Sequence, residues 1–148
     1  MWRGVAAAAV VMAALAACGT DAADQKVIDG LSKLDVMAMP PGAIELSRTS
    51  HKGGGNSVIR NSSSVTLVYG TTQSPFEVKH DFHARFDSTW RLHDNGAAPL
   101  GGWAASGRST TDPDAVATVE ARRVTSADKA PRDVQSVVTV EASATRPA

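Results

Sequence analysis

The chain predicts an α+β fold: an antiparallel sheet of about five strands with two helices packed on one face, preceded by a segment that is cleaved away. Three observations carry this. Apolar residues recur at helical spacing in two separated stretches, around Leu31 and around Phe82. The intervening and closing stretches alternate apolar and polar residues with the period of two that a half-buried strand requires. The apolar run at the start ends at Cys18, the single cysteine of the chain, and is followed by Gly19, Thr20 and Asp21. The order of helix, two strands, helix, then three or four strands favours an open sheet with helices on one face.

Thr20 to Ala23 reads as a tether. Val27, Ile28, Leu31 and Leu34 then mark the first helix, with Asp24 as its expected N-cap. That helix ends before Pro40-Pro41-Gly42, because proline lacks a donor and biases the residue before it away from helical geometry. Ile44 and Leu46 alternate with Glu45 and Ser47 as a first strand. Gly53-Gly54-Gly55 makes a loop into a second strand over 57–69, in which Val65, Leu67 and Tyr69 share a face. Since no helix opens after those glycines, they are read as a connection rather than a phosphate cradle.

Ser74-Pro75-Phe76-Glu77 is a capping box with proline at the first helical position. Val78, Phe82 and Phe86 follow as a core stripe, which Trp90 extends or closes. Trp90 and Leu92, a turn at Asn95-Gly96, a segment around Trp103, then Ala115 to Val124 and Val134 to Ala142 complete the sheet. The expected organisation is therefore 1–17 signal, 18–23 tether, 24–142 a single domain, and 143–148 a fraying tail.

Arg3 and an apolar stretch of about 13 residues, Val5 to Ala17, have the order of an export signal, and the stretch is shorter than the ~20 residues a membrane span needs. Leu15-Ala16-Ala17-Cys18 resembles the lipobox of bacterial lipoproteins. The resemblance implies cleavage before Cys18 and its modification by a diacylglycerol carrying palmitate-type chains. It further implies a cell-membrane location on the extracytoplasmic face. The alternative is an ordinary secretory cut at Ala14-Leu15-Ala16, which would leave Cys18 as a free thiol. Pro40-Pro41-Gly42, Thr71 to Pro75, Trp90 and the closing Val/Thr strands make the mature chain similar to small lipoproteins of high-GC Gram-positive (actinobacterial) bacteria. That resemblance implies an envelope protein and supplies no activity.

Composition narrows the function classes. Basic and acidic residues balance at 15 each, and Arg122-Arg123 is the only adjacent basic pair after Cys18, so nucleic acid is not an expected partner. No second cysteine is present for a disulfide or a thiolate metal site.

His80, His83 and Asp87 fall on one flank of the second helix, a residue set that zinc or non-haem iron accepts. His80 to Asp87 spans ~10 Å of helix axis, so a shared ion would need His93 or Asp94 from beyond the helix. The favoured reading is a solvated face with His83 covering the core edge, and no catalytic, metal or cofactor residues are assigned. Gly-x-Ser-x-Gly is absent, and neither Ser62-Ser63-Ser64 nor Ser106-Gly107 has the context of a nucleophile elbow.

The expected function is a membrane-anchored, non-catalytic binding or accessory domain with Cys18 as lipid anchor. Its partner would be an envelope protein, a lipid or a cell-wall component, and Trp103 between glycines is the candidate groove residue. The alternatives are a small hydrolase or metal-dependent enzyme using the His80/His83 face, and a structural envelope lipoprotein without a dedicated ligand.

Overall fold

The computed structural model describes residues 21–54 and 61–145. Two helices lie on one face of a six-stranded antiparallel sheet, an α+β fold. Helix α1 covers 21–32, and a 3-10 turn follows at Asp35–Met37. Then come β1 (Ile44–His51), β2 (Ser62–Thr71), α2 (Pro75–Phe86), β3 (Trp90–Ala98), β4 (Gly102–Ser109), β5 (Val116–Arg123) and β6 (Ser136–Thr145). The strand order is β1-β2-β6-β5-β4-β3, so β1 and β3 are the edges. The longest ladder joins β2 to β6, from Ser62 opposite Thr145 to Thr71 opposite Ser136.

Alternation decides which side is core. Val65, Leu67 and Tyr69 of β2, Val138 and Val140 of β6, Val119 of β5, and Trp103 and Ala105 of β4 are buried beneath Ile28 and Leu31 of α1 and Val78, Phe82 and Phe86 of α2. Alanines at 105, 117 and 121 leave room for the large rings of α2: Phe82 stacks obliquely 4.6 Å from Phe86 and 5.8 Å from Trp103. Truncating such a ring to alanine costs about 3–5 kcal/mol through lost transfer energy and the cavity left behind. The opposite face carries the register row Thr66, Glu141, Thr118 and Ser106, polar residues that solvent satisfies.

The ends of the sheet are distinct. At one end Lys52, just past β1, pairs with Asp21 at 2.8 Å, and Gly54 N–H donates to the Asp24 carboxylate at 3.1 Å, so α1 begins beside the β1–β2 connection. Gly53 is required there, since a Cβ would run into the Asn61 backbone. By Asp35 the chain has crossed to the far edge, where Asp35 accepts from the indole N–H of Trp90 at 2.8 Å and the hydroxyl of Thr89 at 2.7 Å. The other end of the sheet carries the α2 N-terminus, the β3–β4 turn and the long β5–β6 connection.

Four expectations change. The sheet has six strands rather than about five, because the segment around Trp103 is a full strand of 8 residues. Asp24 is not an N-cap: helix already runs from 21, through part of the expected tether, and Asp24 is buried within it where it receives Gly54. Asn95-Gly96 is not the turn, since β3 continues through it with a register shift between Asp94 and Ala97 and turns at Pro99–Gly101. The tail is shorter than 143–148, because β6 runs to Thr145, whose hydroxyl is hydrogen-bonded to Ser62 at 3.0 Å. The signal segment, Cys18 and part of the expected 57–69 strand lie outside the described residues.

Candidate functional site

Helix α2 positions the only histidine that makes several partners among the described residues. Its start is fixed as the sequence predicts: the Ser74 hydroxyl accepts from Glu77 N–H at 3.3 Å, and the Glu77 carboxylate accepts from Ser74 N–H at 2.7 Å. The Ser74 N–H and the Ser74 hydroxyl, which donates to the same carboxylate at 2.8 Å, hold the Glu77 carboxyl below its ordinary range. With Val78, Phe82 and Phe86 directed into the core, residues 79, 80, 83 and 87 fall on the outer flank.

His83 bridges two carboxylates. Its Nδ1 lies 2.8 Å from Asp87 Oδ1, one turn along the helix, and its Nε2 lies 3.0 Å from Asp94 Oδ1 on β3. Asp94 also accepts from the indole N–H of Trp103 at 2.8 Å and from Lys79 Nζ at 2.6 Å. The His83 ring leans on Trp103 at a centroid distance of 5.5 Å. Partial burial pulls the His83 pKa down, but its hydrogen bonds to Asp87 and Asp94 and their charges prevail and raise it. The Lys79, Trp103 and His83 donors hold the Asp94 carboxyl well below the usual carboxylate range.

The chemistry follows from that geometry. Both ring nitrogens of His83 face carboxylate oxygens, and when protonated the ring donates from both and keeps no lone pair for a metal or for proton abstraction. The neutral ring would set one acceptor nitrogen against a carboxylate, which is why the charged form is preferred. His80 lines the same flank without joining the network, and His93 is exposed opposite Ser106. Among the described residues no group of three His, Cys, Asp or Glu side chains is placed to hold a metal ion.

Thus the structure brings together His83, Asp87 and Asp94, and leaves out His80 and His93. The arrangement is a clamp between α2 and the edge strand. Trp103, the expected groove residue, is only 5 % exposed, because alternation along β4 turns it toward α2.

The exposed aromatic ring is instead Phe76, 76 % accessible. It separates two depressions, one of about 300 Å³ beside His80 and Ala84 and one of about 230 Å³ beside Gly101 and Gly102, with Lys79 bordering both. A signal for it existed in the sequence: Phe76 stands two residues before Val78, which puts it about 160° from Val78 and about 120° from the middle of the core stripe on a helical wheel.

No helix among the described residues is long and apolar enough to cross a membrane. Comparison of the chain with protein-family models, with curated proteins and with solved structures finds no match.

Proposed function

We propose that this chain is an extracytoplasmic lipoprotein, acylated at Cys18 and held on the cell membrane, whose α+β domain is a non-catalytic binding or accessory module of the envelope. The observation that carries the reading is Leu15-Ala16-Ala17-Cys18 at the end of an apolar run behind Arg3. Each buried methylene contributes ~0.8 kcal/mol and one acyl chain anchors only marginally, so the two chains of a diacylglycerol are what make the attachment stable. The described fold is compatible with this reading: α1 is under way within three residues of Cys18, at the β1–β2 end of the sheet.

The enzyme reading on the His80/His83 face loses one of its two histidines, since both nitrogens of His83 are bonded to carboxylates. This supports the non-catalytic reading. The test is detergent phase partitioning with Cys18→Ala. The unaltered chain is expected in the detergent phase and the variant in the aqueous phase, and mass spectrometry of the mature terminus is expected to show an acylated Cys18. Equal partitioning of the two forms would overturn the anchor.

A further inference from the structure

We infer that the end of the sheet opposite α1's start is a docking surface for an acidic, apolar peptide segment of a protein partner. This deepens the binding reading above and rests on it. The three exposed large hydrophobic residues among those described all lie at that end: Phe76 in the first turn of α2, Leu100 in the β3–β4 turn, and Ile44 opposite Gly70 where β1 begins. Strands of ten residues separate it from the Asp21–Lys52 end by ~30 Å, whereas a three-residue link from Cys18 reaches only ~10 Å. On an upright anchored domain this end faces away from the bilayer.

Phe76 and the β3–β4 turn border the depression of about 230 Å³, whose walls include Trp103 and the bare backbone of Gly101 and Gly102. Across Pro75 lies a second depression, of about 380 Å³, bordered by Ser74, Arg123 and Gln135. Arg123 joins the two, since a Cβ built on Gly101 would lie 3.9 Å from its Nε.

Charge selects the occupant. Arg122 is bound by Asp128 through two bonds of 2.9 and 2.6 Å, and Lys79 by Asp94, but Arg123 is exposed with no ion pair among the described residues. The β5–β6 connection beside it carries Lys129 and Arg132 against Asp133 and Asp128, the latter already engaged by Arg122. A carboxylate therefore fits Arg123, and a neighbouring apolar side chain fits beside Phe76.

Leu100 supports the same surface. It holds a left-handed backbone, φ 61°, that disfavours any residue with a Cβ, beside Gly101, which is itself left-handed at φ 67°. The chain keeps an aliphatic side chain, 55 % exposed, on a backbone suited to glycine. An aliphatic and a phenyl group flanking an arginine match apolar and acidic residues of a peptide better than a sugar, which prefers flat rings with amide or carboxylate neighbours.

The test is fluorescence anisotropy of the lipidated full chain in detergent with two labelled synthetic peptides, Gly-Leu-Glu-Phe-Glu-Leu-Gly and its counterpart with lysine for glutamate. The acidic peptide is expected to bind saturably, with a Kd on the order of 10–1,000 μM and at least about tenfold tighter than the basic one. Arg123→Glu should reverse that preference, and Phe76→Ser should weaken binding at least about fivefold. Leu100→Gly should weaken binding without lowering the melting temperature, and Arg91→Glu, on the exposed edge strand, should change nothing.

Equal affinity for both peptides would overturn the inference. So would loss of binding in Arg91→Glu alone, association of the β3–β4 turn with anionic vesicles in place of peptide, or self-association abolished by Phe76→Ser without peptide binding. Phase partitioning of the same preparations keeps the outcomes apart: a failed peptide with an intact anchor removes the docking surface only.

Discussion

Two buried tryptophans are each held by an aspartate, and the two clamps are built differently. Asp35 receives Trp90, the Thr89 hydroxyl and the Val36 N–H, all uncharged donors, and thereby pins the exit of α1 to the start of β3. Asp94 receives Trp103 together with the charged Lys79 and His83, and pins α2 to the middle of the same strand. Burial raises the Asp35 pKa, but its three donors prevail and lower it. The lesson is that the same side-chain pair yields a joint that titrates only through its carboxylate, in acid, in one place and one that also titrates through its donor in the other, according to whether a titrating donor shares the carboxylate.

The largest effects should come from removing each clamp. Asp35→Ala strands the indole N–H of Trp90 and two further donors and is expected to cost roughly 2–3 kcal/mol. Asp94→Ala is expected to cost roughly 1–2 kcal/mol, because Lys79 and His83 lie near enough to the surface to regain water. Urea midpoints read both, and the reverse order would break the comparison.

The next effect is on pH dependence. Because its partners raise the His83 pKa above the ordinary 6.5, the His83 contribution is whole below that value and is lost as pH rises through the raised pKa. Unfolding free energy should therefore fall by about 1 kcal/mol or less through that window. The slope should disappear in His83→Gln and persist in Asp35→Asn. Asp94 has the opposite sign: its depressed pKa contributes stability above the ordinary carboxylate value of 3.8, and that is lost as pH falls below it. The smallest effect belongs to Lys79→Met, about 0.5 kcal/mol and reduced by salt, since the pair is 39 % exposed on each side.

What was legible in the sequence is what nearest neighbours along the chain decide. The Val78, Phe82, Phe86 stripe, the Ser74–Glu77 capping box and the alternation in β2 each follow from a local period or a local hydrogen bond, and each is in the structure as expected. Asn95-Gly96 misled because its strong turn preference is equally served by a bulge: Gly96 takes φ 89° within β3, and Pro99–Gly101 supplies the reversal. Asp24 misled because capping preference says nothing about a partner thirty residues away, Gly54.

Of the candidate site, His83 with Asp87 was readable from helical spacing, and Asp94 was named as a residue that could complete it. That Lys79 and the Trp103 indole would converge on the same carboxylate depends on β3 lying between β4 and solvent, a tertiary fact with no local trace. Trp103, the expected groove residue, does wall the depression beside Gly101 and Gly102, but strand parity turns its indole inward, so most of it belongs to the core.

Both rims of the sheet carry a slipped register, between Glu45 and Ser47 on β1 and between Asp94 and Ala97 on β3. A rim interrupted in this way offers no long, even row of donors and acceptors for another copy to zip onto. That keeps adjacent molecules from fusing edge to edge into fibrils.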